Sequence, residues 1–166
     1  ELTPFSDGRR GGKLEAFAAP IVGELLPRLR SRFHLVDGPA GTYVGGASLG
    51  GSAALYMHLR RPDVFGGAIA MSPSLWFTHA QMDAFLRTQS TPYRSRIYID
   101  TGAAEGRGHT AKLVRSLVRH LRSSGWGLPA HKRDLRVLVR IDARGRHNER
   151  SWRKRLPMAL RFVAEP

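Results

Sequence analysis

The sequence predicts an α/β fold, a mostly parallel sheet with flanking helices, as a single domain over residues 1–166. Three observations carry this. Short apolar runs flanked by Gly and Pro read as buried strands, longer segments with apolar residues at helical spacing separate them, and the connections are short. Strands alternating with helices in this way fit a parallel sheet covered on both faces.

Taken in order, Phe17, Ile21, Val22, Leu25 and Leu29 mark an amphipathic helix over about 13–32. Pro20 and Pro27 are expected to kink or break it, because each removes an amide donor and crowds the preceding turn. "TYVGGAS" reads as a strand, "SAALYMHLR" as a helix and "GGAIAMSP" as a second strand. After a variable stretch from Trp76 to Arg94, "RIYIDTG" is a third strand, rich in β-branched and aromatic residues. Leu113, Val114, Leu117, Val118 and Leu121 give the next helix an apolar face opposite Lys112, Arg115, Arg119 and Arg122. "LRVLVRID" is a fourth strand. Trp152, Leu156, Leu160 and Val163 predict the apolar face of a closing helix, with Pro157 disturbing its middle.

The length suffices for a real core, and the absence of cysteine excludes disulfides and thiolate metal sites without fixing a compartment. No apolar run reaches the roughly 20 residues that span a bilayer. The net charge of +14 invites a nucleic-acid reading. The arginines are spread along the chain, however, which fits solvated surfaces better, and no nucleic-acid partner is expected. One local excess stands out: from Arg140 to Arg155, six arginines and Lys154 face only Asp142 and Glu149, with His147 among them.

The feature that carries chemistry is "GASLG", residues 46–50, a G-x-S-x-G pattern between a predicted strand and a predicted helix. A nucleophile raised on so tight a turn adopts strained dihedrals, and flanking glycines let strand and helix backbones approach. In a chain with 18 glycines the pattern alone is weak, and its context is what strengthens it. Ser48 is the candidate nucleophile; Ser52 is the better candidate for a plain helix N-cap.

A serine hydroxyl needs a histidine to take its proton and a carboxylate to orient that histidine. Asp100 and Glu105 follow the third strand. Glu105 is preferred because it falls in the loop, where a side chain can reach across the rim, and Asp100 stays open as the alternative. Among the seven histidines, His34, His58, His79, His120 and His131 read as surface or packing residues. His109 could pair with Glu105 but starts a helix. His147, in a Gly-rich turn beyond the last strand, is the best match. No histidine or carboxylate spacing suggests a metal, and no cofactor is implied.

These stretches together resemble the esterase D-like branch of the α/β-hydrolases, which holds enterochelin-type siderophore esterases, related carbohydrate esterases and mycolyltransferases. "FAAPIVGELLPRLRSRF" resembles the helix before the nucleophile strand and "GGASLGGSAALYMHLRRPDVFGGAIAMSPSLWF" the elbow and next strand. "IYIDTGAAEG" resembles the acid loop and "GRHNERSWRKRLPMALRFV" the histidine loop. The resemblance implies Ser48 as nucleophile, Glu105 as acid, His147 as general base and the Leu49 N–H as one oxyanion donor. Trp152 would pack the last helix under the histidine loop. It also implies an α/β-hydrolase-type sheet in which the nucleophile strand is central, with several strands before it. Here only residues 1–41 precede that strand, so about four strands remain and the nucleophile strand is expected at an edge. The chain is therefore expected to be the C-terminal part of a longer enzyme, or to have its sheet completed by a partner chain or a second copy.

The function expected is hydrolysis of a small-molecule carboxylic ester through an acyl-enzyme, with the basic stretch around His147 favouring an anionic, siderophore-like ester. An acyltransferase uses the same apparatus. Two readings from other classes compete: a catalytically silent hydrolase remnant and a polyanion-binding module.

Overall fold

The computed structural model describes residues 2–77, 79–89, 95–126 and 137–164. The side chain of His79, residues 90–94 of the variable stretch, His131 and the first two residues of "LRVLVRID" lie outside the described residues.

Four parallel strands form one sheet in the order β1 (Tyr43–Ala47), β2 (Gly67–Met71), β3 (Arg96–Gly102), β4 (Val137–Asp142). The register pairs Ala47 with Met71, Met71 with Asp100, and Asp100 with Arg140, so all strand ends meet along one rim. β2 is buried throughout and β3 nearly so, as continuous apolar runs in a doubly covered parallel sheet should be. β1, the strand that leads into Ser48, lies at an edge.

The side-chain alternation of the strands sorts the core into two layers. Ala70, Ile97, Ile99 and Val137 face α3 (Leu49–Arg60) and α5 (His109–Ser123). Ile69, Met71 and Tyr98 face α6 (Glu149–Ala164). Helix α3 is buried on nearly every side from Gly51 to Leu59, because α4 (His79–Arg87) and the N-terminal segment cover what the sheet does not. Phe5, Tyr56 and Phe85 form an aromatic cluster there. Among the described residues no helix is long and apolar enough to cross a membrane.

Three local expectations are corrected. The prolines do not break the first helix: α1 (Leu14–Pro20) runs through a π turn (Ile21–Leu25) into α2 (Leu26–Arg32). The register change, with the Leu26 N–H reaching the Ile21 carbonyl, lies between the two prolines. Its expected apolar face is only partly used, since Val22 packs on the core while Phe17 and Leu25 are exposed. Ser52 is no N-cap, because α3 begins at Leu49 and Ser52 lies buried in its first turns. In α6, Pro157 interrupts nothing, and the inward face is Trp152, Arg155, Ala159, Phe162 and Val163. Leu156 and Leu160 are 38% and 50% exposed. The helix is turned because Arg155 points inward to a buried carboxylate rather than to solvent.

Candidate active site

β1 ends in a turn that only a few residues could make. Ser48 sits at φ 58° and ψ −123°, in the left-handed half of backbone space, where a non-glycine residue costs about 1–2 kcal/mol. A Cβ on Gly46 would fall 2.5 Å from the Gly50 carbonyl carbon, so strand and helix touch only because that Cβ is missing. On the other side of the turn the steric demand belongs to Gly51, whose Cβ would meet the Met71 carbonyl at 3.0 Å; around Gly50 there is open space. β2 holds the strained residue: the Ser48 N–H donates to the Met71 carbonyl at 2.9 Å, and the Ser74 N–H to the Ser48 carbonyl at 3.1 Å.

The turn brings the Ser48 hydroxyl 2.9 Å from His147 Nε2, while His147 Nδ1 lies 2.9 Å from Glu105 Oε2. An ionised Glu105 can only accept, so the Nδ1–H donates to it, which leaves Nε2 as an acceptor and makes the Ser48 hydroxyl the donor to Nε2. Ser74, which sequence reasoning missed, sits with its hydroxyl 3.2 Å from Ser48 Oγ and then donates to it. The Leu49 N–H is the first of helix α3, where helix geometry supplies no intrahelical acceptor, so it is free for an anion formed beside Ser48.

Glu105, three residues past the end of β3, opens a 3₁₀ turn (Glu105–Gly108) and is buried. Burial alone would raise its carboxyl, but His147, the Gly102 N–H and the Ser72 hydroxyl outweigh burial and hold it below its ordinary value. The Gly102 N–H and the Ser72 hydroxyl both reach Oε1, each at 2.8 Å. Gly102 must be glycine, since a Cβ there would collide with the Gly145 carbonyl of the histidine loop. Asp100 lies elsewhere, fully buried within β3, where Arg155 Nε meets one of its oxygens at 2.8 Å and Tyr98 donates to the same oxygen at 3.0 Å.

Trp152 does more than pack. Its ring stands edge-on to His147, centroids 5.1 Å apart, and its indole N–H donates to Ser72 Oγ at 3.1 Å. Ser72 and Arg155 were invisible as site residues: nothing local distinguishes Ser72 from other loop serines, and Arg155 sits in a basic run that reads as solvated. That run therefore supplies one cation fewer to the rim than its composition suggests. Arg144 and Arg146, on either side of Gly145 next to His147, are exposed. Two other described histidines have partners of their own. His58 is buried between the Phe65 carbonyl and the Ser95 hydroxyl, and His120 pairs with Asp83 across α4 and α5.

Comparison with known proteins follows the same lines. Residues 6–163 match the family model described as "Putative esterase". A 66-residue stretch, 40% of this chain, is 39% identical to the iron(III) enterobactin esterase of Dickeya dadantii and covers 15% of it. Among solved structures, the enterobactin esterase FES of Shigella flexneri, determined in the presence of enterobactin, superposes with a TM-score of 0.73 at 26% identity. That match covers 92% of this chain and 38% of the other. The BES protein of Bacillus cereus gives 0.77 at 20% identity, over 99% of this chain and 62% of the other. The chain spans about half or less of the length of the curated relatives it matches. With the family model matching nearly its whole length, and with four parallel strands and flanking helices in place, the chain belongs to this α/β-hydrolase-type esterase family.

Proposed function

We propose that the chain carries the catalytic apparatus of a serine-dependent carboxylic ester hydrolase, with Ser48 as nucleophile, His147 as general base and Glu105 as the acid that orients it. The observation that carries this is the unbroken hydrogen-bonded line from Ser48 Oγ through both ring nitrogens of His147 to Glu105, starting on a strained turn. Ser48 Oγ attacks the ester carbonyl while its proton passes to His147 Nε2. The Leu49 N–H stabilises the oxyanion, and the imidazolium, held by Glu105, protonates the departing alkoxide. Water, deprotonated by the same ring, then cleaves the acyl-enzyme.

The substrate class follows from the rim and the relatives together. The exposed Arg144 and Arg146 lie just before His147, and two matched proteins are enterobactin esterases, so the ester proposed is anionic and siderophore-like. Its kcat/KM should fall with ionic strength while that of a neutral ester does not; equal insensitivity of the two would remove the anionic assignment.

A fluorophosphonate probe tests the chemistry. Modification at Ser48, lost in Ser48→Ala and strongly slowed in His147→Ala, supports the hydrolase. A folded chain that takes no label is instead a silent remnant, a reading favoured by the edge position of β1.

A further inference from the structure

Resting on that reading of the site, we propose that Ser72 is a positioning residue: oriented by Trp152 and Arg155, its hydroxyl fixes Glu105 so that Oε2 alone faces His147. Ser72 follows β2, fully buried, and its Oγ has three neighbours: Glu105 Oε1 at 2.8 Å, Arg155 NH2 at 3.0 Å and the Trp152 indole nitrogen at 3.1 Å. A guanidinium and an indole N–H can only donate. They occupy the two lone pairs of the hydroxyl, so its single proton goes to Glu105 Oε1. The Gly102 N–H adds a second donor to that oxygen, and Oε2 is left for the imidazole at 2.9 Å.

The donors are themselves fixed. Arg155 is 2% exposed and grips Asp100 through Nε at 2.8 Å and NH2 at 3.1 Å, while its other terminal nitrogen lies 3.7 Å from Asp142 Oδ2. The Ser72 N–H is anchored to the Asp100 carbonyl at 2.9 Å and side chain at 3.1 Å. The pair at the centre of the sheet thus sets the hydroxyl that sets Glu105. The backbone gives an independent reason: Ser72 has φ 42°, where glycine would be free of strain, yet the position carries a side chain whose hydroxyl is used by three groups.

Ser72→Gly and Ser72→Ala test this together, since both delete the hydroxyl while only glycine relieves the backbone. Two readouts are taken on folded protein: the far-downfield proton resonance of His147 Nδ1–H, and the fluorophosphonate labelling rate at Ser48. The expectation is that both variants lose the downfield resonance to solvent exchange and label about 10- to 100-fold more slowly, with probe affinity little changed. Trp152→Phe keeps a ring against His147 but removes one orienting donor, and should slow labelling about two- to five-fold. A parent-like resonance and labelling rate in either serine variant overturns the proposal; a slow alanine variant beside a parent-like glycine variant does so by tracing the effect to backbone strain. If neither serine variant folds, parent-like behaviour of Trp152→Phe overturns it. The two readings fail separately: an unlabelled parent sinks the hydrolase, whereas the resonance still reports on the Glu105–His147 bond.

Discussion

The two ends of the sheet are built differently although both serve the same rim. From β2 to β4 the strand ends are tied by buried polar groups: Asp100, Arg155, Ser72 and Glu105 are each less than 7% exposed and bonded to one another. At the other end β1 alternates between exposed and half-buried residues, has a strand on one side only, and leaves Tyr43 and Leu49 partly in solvent. The difference teaches where the strained serine gets its support. Its backbone is held by Met71 of β2 and by Ser74 in the loop after it, and its side chain by His147, so the turn depends on the buried end of the sheet and not on whatever lies beyond β1.

Breaking each end separately should therefore give unequal results. The largest effect is chemical. Ser48→Ala should lower labelling and hydrolysis by roughly 10³-fold or more while leaving the melting temperature unchanged or raised, because alanine removes the proposed nucleophile at the same backbone geometry. Next is the buried pair: Arg155→Met removes the cation from the buried Asp100, and denaturant unfolding should show a loss of about 3–5 kcal/mol. Smaller again is a pH effect from the other face of the sheet. Burial holds His58 down to about 4 from an ordinary 6.5, so the unfolded chain binds its proton first. Stability from this ring is complete above pH 6.5 and is lost as pH falls towards 4, by roughly 3 kcal/mol. Glu105, held below its ordinary 4.5, adds a loss that begins only below that pH. His58→Gln should flatten the pH 6.5–4 window, and Glu105→Gln the one beneath it, in urea midpoints taken at each pH.

How far the sequence led follows the same division. The strands were legible as short runs of apolar, β-branched and aromatic residues, and the edge position of β1 followed from how little chain precedes it. The residues at strand ends were legible by type and place: Ser48 in its glycine frame, Glu105 in the loop rather than the strand, His147 beyond β4. The buried polar support was not. Arg155 in an arginine-rich helix carries no local sign of burial, and reading it as solvated turned the face of α6 towards Leu156 and Leu160. Ser72 needs a positive φ that serine does not announce. The π turn between Pro20 and Pro27 was hidden for another reason: a proline rule states which bond is lost but not where a neighbouring register change falls.

The smallest effects should come from the open end, and they test what covers it. Phe33, Leu35 and Val36, leading towards β1, are 57%, 47% and 66% exposed, so they contribute little to the chain's own core. Replacing Phe33 and Val36 by serine should then change unfolding stability by no more than about 0.5 kcal/mol each. An apolar strand edge beside exposed aromatic and aliphatic side chains is, however, a template for pairing. If the edge of β1 accepts a further strand, from a longer form of the chain or from a second copy, the double serine variant should weaken concentration-dependent association in light scattering while Ser48 labels at the parent rate. A parent chain that stays monomeric at high concentration, with β1 amides exchanging as slowly as those of β3, would mean that this end is closed as it stands. The asymmetry between the two ends would then be one of exposure alone, because slow amide exchange requires protected backbone groups and not buried side chains.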